Sequence, residues 1–244
     1  MFIRMAFLFF EWSKNLLGQL IGSVGSYPGE FWGAFLASFF AFCFFITSSF
    51  FSALFDRKRR HFNSLIQIQI EVTVTIESIL WNLDELEGFK LAVEQSLKDK
   101  VISPYIFQPR YITISMDIVR GIGVNELLNQ AISFFTQAET ANMSLKSAKE
   151  SCDSIRELYF RKAFDESYMI ALGNGLSKQL EGMLVGKKMA EKLLAQARCE
   201  LTFQKFWTFI NKIALFTPSE EARIEVYKRE LKEVQDEVSR MQAD

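Results

Sequence analysis

Residues 31–55 read FWGAFLASFFAFCFFITSSFFSALF, a run of 25 residues without a charged side chain. A helix rises about 1.5 Å per residue, so about 20 apolar residues cross a bilayer core of about 30 Å. The run is long enough to be a transmembrane helix with some tilt. A buried core helix of a soluble protein rarely has so long a stretch free of charge. Asp56 closes the run, and Arg57, Lys58, Arg59, Arg60 and His61 follow at once. The other flank carries only Arg4 and Lys14 beside Glu11 and Glu30. Lys and Arg concentrate on the cytoplasmic side of a span, so the N-terminus is expected outside and the C-terminal domain in the cytoplasm. The basic cluster is also suited to anionic lipid headgroups.

Ten residues of the run are Phe. Small residues recur at Gly33, Ala37 and Ala41, then at Ser48 and Ser52, with Phe45 interrupting them. Such a stripe lets two helix backbones approach in lipid, where packing drives association, so it is the expected membrane packing face. The hydroxyls of Thr47, Ser48 and Ser52 can bond back to carbonyls of their own helix. With no ionisable side chain in the run, a proton relay or ion site inside it is not expected.

The 244 residues are enough for one span and a soluble domain able to bury a core. The net charge of −1 gives no expectation of nucleic-acid binding. Three cysteines at 43, 152 and 199 form no CxxC pair and no disulfide framework. That usage suits a reducing compartment, with a single bridge between the last two left open.

Upstream of the span, Phe2, Met5, Ala6, Phe9, Trp12, Leu16, Leu17, Leu20 and Val24 gather on one helical face, with Arg4, Glu11, Asn15 and Gln19 opposite. The pattern predicts an amphipathic helix in the membrane interface over residues 1–30, turning at Tyr27-Pro28-Gly29. A cleaved signal peptide fits less well, because the apolar run before Glu11 is short. A second crossing would carry Glu11, Lys14 and Asn15 into the bilayer.

Two patterns compete after the span. Ile66, Ile68, Ile70, Val72, Val74 and Ile76 alternate with polar residues, which is a strand signal. A heptad seam also runs through Phe62, Leu65, Gln69, Val72, Ile76, Ile79, Leu83, Leu86, Lys90, Val93 and Leu97. The length of the unbroken seam favours one long helix. Pro104, Pro109, Gly121 and Gly123 then mark a linker with a short element.

From Asn125 the pattern is helical again, through Leu128, Ile132, Phe135, Ala138, Leu145, Cys152, Ile155 and Tyr159. Asn142 interrupts this face, so a bend or an exposed site is expected there. A break is expected at Leu172-Gly173-Asn174-Gly175. A third helix follows through Leu176, Leu180, Met183, Ala190, Leu194 and Ala197. It ends in an aromatic patch from Phe203 to Phe216, suited to core packing or to a membrane or partner contact. Thr217-Pro218-Ser219-Glu220 is a helix start, with Thr217 as the expected cap. Ile224, Tyr227, Leu231, Val234, Val238 and Met241 then repeat at a coiled-coil spacing and form the expected partner seam. So short a seam is weak alone, and packing onto something larger is expected.

No catalytic, cofactor-binding or metal-ligating residues are expected. The lone His61 lies in the basic flank, no nucleophile elbow, zincin or Walker motif occurs, and Asp84, Glu85 and Glu87 lack a Glu-x-x-His partner. The fold is therefore expected to be mostly α. Its segments would be an interfacial helix over 1–30, a single transmembrane helix over 31–55, a cytoplasmic helical bundle over 56–216 and a coiled-coil-like helix over 217–244. The expected function is a membrane-anchored scaffold whose partners are the bilayer and either further copies or another protein. The alternative is an oligomeric, channel-like effector gated by the cytoplasmic domain.

Overall fold

The structure is a computed structural model that describes residues 29–115, 122, 125–210 and 219–243. The expected interfacial helix lies almost wholly outside these residues. Four helices account for nearly all of them, and none is in a strand. Helix α1 spans Gly29–Asp99, α2 spans Asn125–Phe160, α3 spans Glu166–Ile210 and α4 spans Glu220–Met241. The chain divides into two compact units at Arg57/Lys58. The second unit is Lys58–Asp244.

The first unit contains the apolar part of α1. Phe40, Phe42, Phe44, Phe45, Phe51 and Phe55 are all more than half exposed there. Among the described residues, α1 is the one helix long and apolar enough to cross a membrane, and none of its most apolar window is buried. Thr47 Oγ1 donates to the Cys43 carbonyl at 2.6 Å, satisfying the hydroxyl within the helix.

In the second unit α1 continues unbroken to Asp99, which settles the competition between strand and helix. Alternating positions on a helix separate into two stripes, each with a spacing of four, on nearly opposite faces. Ile68, Val72 and Ile76 are buried, whereas Ile66, Ile70 and Val74 are 38%, 59% and 56% exposed. The heptad seam is the core side. Leu65, Val72, Ile76, Ile79, Leu83, Leu86 and Val93 are all buried, and Gln69 and Lys90 lie at its half-buried margin. Helix α3 packs against both α2 and α4.

Residues 101–115 form a strap with no helix or strand; most of the rest of the expected linker, with its short element, lies outside the described residues. A strap without a sheet partner must satisfy its backbone through side chains. Asn82, fully buried, accepts from Arg110 N at 2.7 Å and donates to Arg110 O at 2.7 Å. From α2, Asn142 accepts from Ile112 N at 2.8 Å and donates to Ile112 O at 2.7 Å. Each carboxamide imitates a neighbouring strand. Asn142 is therefore not an exposed interruption, and α2 continues through it. Ser96 accepts from Ser103 N, Glu85 accepts from Gln108 N, and Lys149 donates to Phe107 O. The strap lowers Phe107 onto Phe89, where the ring centroids are 5.7 Å apart. Tyr105 stacks on the same ring and covers Gly88, where a Cβ would meet the Tyr105 hydroxyl at 2.6 Å.

The chain does not turn at the break expected at Leu172–Gly175, because α3 runs through it. The chain turns earlier. Lys162 takes a left-handed φ of 51°, Ala163 N donates to Leu158 O at 3.0 Å and Lys162 N donates to Tyr159 O at 3.1 Å. This is a Schellman ending with lysine in the place glycine usually takes. Asp165 then caps α3 by accepting from Tyr168 N at 3.0 Å. The cap of α4 is Ser219, which accepts from Ala222 N at 3.3 Å, rather than the expected Thr217, which lies outside the described residues.

Two outcomes are expected in chemical denaturation of the full chain. Asn82→Ala strips Arg110 of both backbone partners in a buried site and lowers stability by about 3 kcal/mol. Gly175→Ala raises stability by about 0.5–1 kcal/mol, because a helix interior favours alanine and a Cβ there meets nothing within 4 Å. A loss of stability in the second variant would restore the turn.

Candidate interaction surfaces

Gly33, Ala37, Ala41, Ser48 and Ser52 all lie exposed on the apolar part of α1. Arg57, Lys58, Arg59 and Arg60 are exposed on the same helix. Among the described residues no group of three or more His, Cys, Asp or Glu side chains is placed to hold a metal ion. Of the acidic cluster, Asp84 and Glu87 are exposed, while Glu85 holds the strap. All three cysteines are free thiols, so no bridge joins Cys152 to Cys199.

The seam on α4 divides. Val234 and Val238 are buried, and Tyr227 and Leu231 pack at the edge of the core. Ile224 and Met241, at the two ends, remain 48% and 39% exposed. The middle of the seam is thus taken up within the chain.

Polar groups also join α3 to α4, beside the apolar seam. Arg198 grips Glu237 with both terminal nitrogens, at 3.0 and 2.8 Å. Buried Glu200 meets Arg223 at 3.3 Å. Lys187 donates to Gln242 Oε1 at 3.0 Å. The Arg198 guanidinium, through its hydrogen bonds, holds the Glu237 carboxyl below the usual range. Glu191, also buried, is pushed the other way by desolvation, although Lys187, Gln235 and Lys188 oppose the shift. Burial likewise pushes the Cys199 thiol up to about 11. The heptad spacing of α4 pointed to its apolar seam but not to these partners, which lie on another helix far away in sequence.

Shallow depressions are present among the described residues of the second unit. A cavity of about 170 Å³ is lined by Leu86, Gln137, Thr140, Lys178, Gln179 and Met183 among others. A more open one of about 300 Å³ lies at the α2–α3 turn, against Glu157, Arg161, Asp165 and Tyr168.

Among the described residues of the second unit, the outer face of α1 exposes a row of apolar side chains. Ile66, Ile70 and Val74 lead along it to Trp81, which is 38% exposed. The Trp81 indole N–H donates to Gln108 O at 2.9 Å, and the Arg110 guanidinium lies 3.9 Å from the ring centroid. The Ile and Val spacing that reads as a strand was the signal for this face. The cation–π contact left no trace in the sequence, because the strap brings Arg110 across from the next segment.

The two carboxylates of the α3–α4 interface predict opposite pH effects, read from urea midpoints from about pH 2.5 to pH 7. Glu237 contributes stability that is full above the ordinary carboxylate range and lost as pH falls through its depressed pKa. Glu237→Gln therefore lowers the pH 7 midpoint by an amount equivalent to about 1 kcal/mol or less, since the pair is partly exposed. The raised Glu191 opposes folding once pH exceeds its unfolded value, so Glu191→Gln raises the pH 7 midpoint. The difference disappears as pH falls below the carboxylate range. No family model, curated protein or solved structure matches the chain.

Proposed function

We propose that the chain is a single-pass membrane scaffold that holds its helical domain on the cytoplasmic side and acts by assembling copies or recruiting a protein partner. The observation that carries the reading is the exposure of α1 from Gly33 onward: a helix presenting so many bare Phe rings needs an apolar surround. Arg57, Lys58, Arg59 and Arg60 support the orientation through the charge asymmetry of membrane insertion. Assembly is supported by the exposed small-residue stripe within the apolar part, which suits close helix packing in lipid. The reading assigns the chain no reaction of its own. Clustering at a membrane raises effective concentration and turns weak contacts into stable ones.

Native mass spectrometry of the full chain, extracted with its surrounding lipid, tests the reading. A defined oligomer or a stoichiometric second protein is the expected result, and Gly33→Leu with Ala37→Leu should reduce a homo-oligomer to monomer. A closed ring that passes ions in reconstituted vesicles would replace the scaffold with a channel-like effector. A lone monomer in lipid, with no partner under any extraction, would overturn assembly. Replacing all four basic residues at 57–60 with Gln should give mixed orientation in a protease-protection assay.

A further inference from the structure

We infer that the outer face of α1 from Ile66 to Trp81 is a docking site for a basic amphipathic helix of another protein. This rests on the scaffold reading and gives it a partner class. Ile66, Ile70 and Val74 repeat every fourth residue, so they form one ridge of exposed β-branched side chains. Such a ridge fits the groove of a second helix with aliphatic residues at matching spacing. Trp81 extends it by about two turns, and Arg110 lies over the indole. Trp and Arg are both among the residue types enriched where protein interfaces concentrate their binding energy.

Charge selects the occupant. Between Phe62 and Phe89 the helix carries Glu71, Glu77, Asp84, Glu85 and Glu87 and no Lys or Arg. Glu77 and Asp84 are exposed and follow the ridge at the same helical spacing, on either side of Trp81. A second copy packed in parallel would set Glu77 against Glu77 and Asp84 against Asp84, which opposes self-pairing. A partner helix with Lys or Arg beside its aliphatic stripe would meet both acids while covering the ridge.

The test uses the full chain in nanodiscs of neutral phosphatidylcholine, with empty discs as control. The probe is a fluorescein-labelled synthetic helix of roughly 20 residues, long enough to be helical. It has Leu along one face and Lys on the flanks, and a matched peptide carries Glu in place of Lys. The expected result is anisotropy-detected binding of the Lys peptide. It should be about tenfold weaker with Ile70→Ser and Val74→Ser together. Glu77→Lys with Asp84→Lys should reverse the preference in favour of the Glu peptide. The four side chains are exposed, and circular dichroism of each variant checks that the helices persist. Equal binding by the wild type and the double-Ser variant, or an unchanged preference after charge reversal, overturns the site. So does a dimer in native mass spectrometry that the double-Ser variant abolishes, since a second copy would then be the occupant. Loss of the site leaves assembly to be decided by the oligomer measurement on the unmodified chain.

Discussion

A backbone that leaves its helix inside a protein must still have its hydrogen bonds met, and here two asparagines meet them. Asn82 and Asn142 each accept an N–H from the strap and return a donor to the carbonyl of the same residue. That requirement sets the distance between α1 and α2, because the strap occupies the space between them. Phe107, Tyr105 and Phe89 can then stack, and Gly88 must stay bare for Tyr105 to lie close. A buried carboxamide with all its partners contributes a specific register as well as energy, since a shift of one residue would orphan four groups at once.

The helical character of the chain was legible because apolar periodicity is set by the helix itself. The seam from Leu65 to Val93 lies on the core side of α1, and the uninterrupted span in residues 31–55 stands out by length alone. Alternation at residues 66–76 was ambiguous for a physical reason: every second residue on a strand faces one way, whereas on a helix the same residues fall on two opposed stripes. Exposure separates the cases, and exposure depends on the other helices.

What remained hidden depends on contacts between segments distant in sequence. Glycines drew the expected break to residues 172–175, although α3 passes through them and the true turn places a left-handed lysine at position 162. Neighbouring hydrogen bonds from Ala163 and Lys162 tolerate that strain. Asn142 looked like a fault in an apolar face because its partner, Ile112, lies in a segment whose path local pattern does not set. Arg110 over Trp81 and Arg198 across from Glu237 are of the same kind. The candidate surface was half visible, as a row of isoleucines, and half dependent on the strap.

The two buried cysteines have a further consequence. Cys152 Sγ donates to Tyr105 O in the strap at 3.4 Å, and Cys199 Sγ donates to Arg223 O in α4 at 3.7 Å. Only a thiolate reacts with an alkylating reagent, and both thiols are held protonated and out of reach while their neighbours stay in place. Each thiol therefore marks a different seam: one reacts when the strap lifts from α2, the other when α4 parts from α3. The chain carries its own pair of clocks for local opening, and their relative rates order the two seams by stability without an added label.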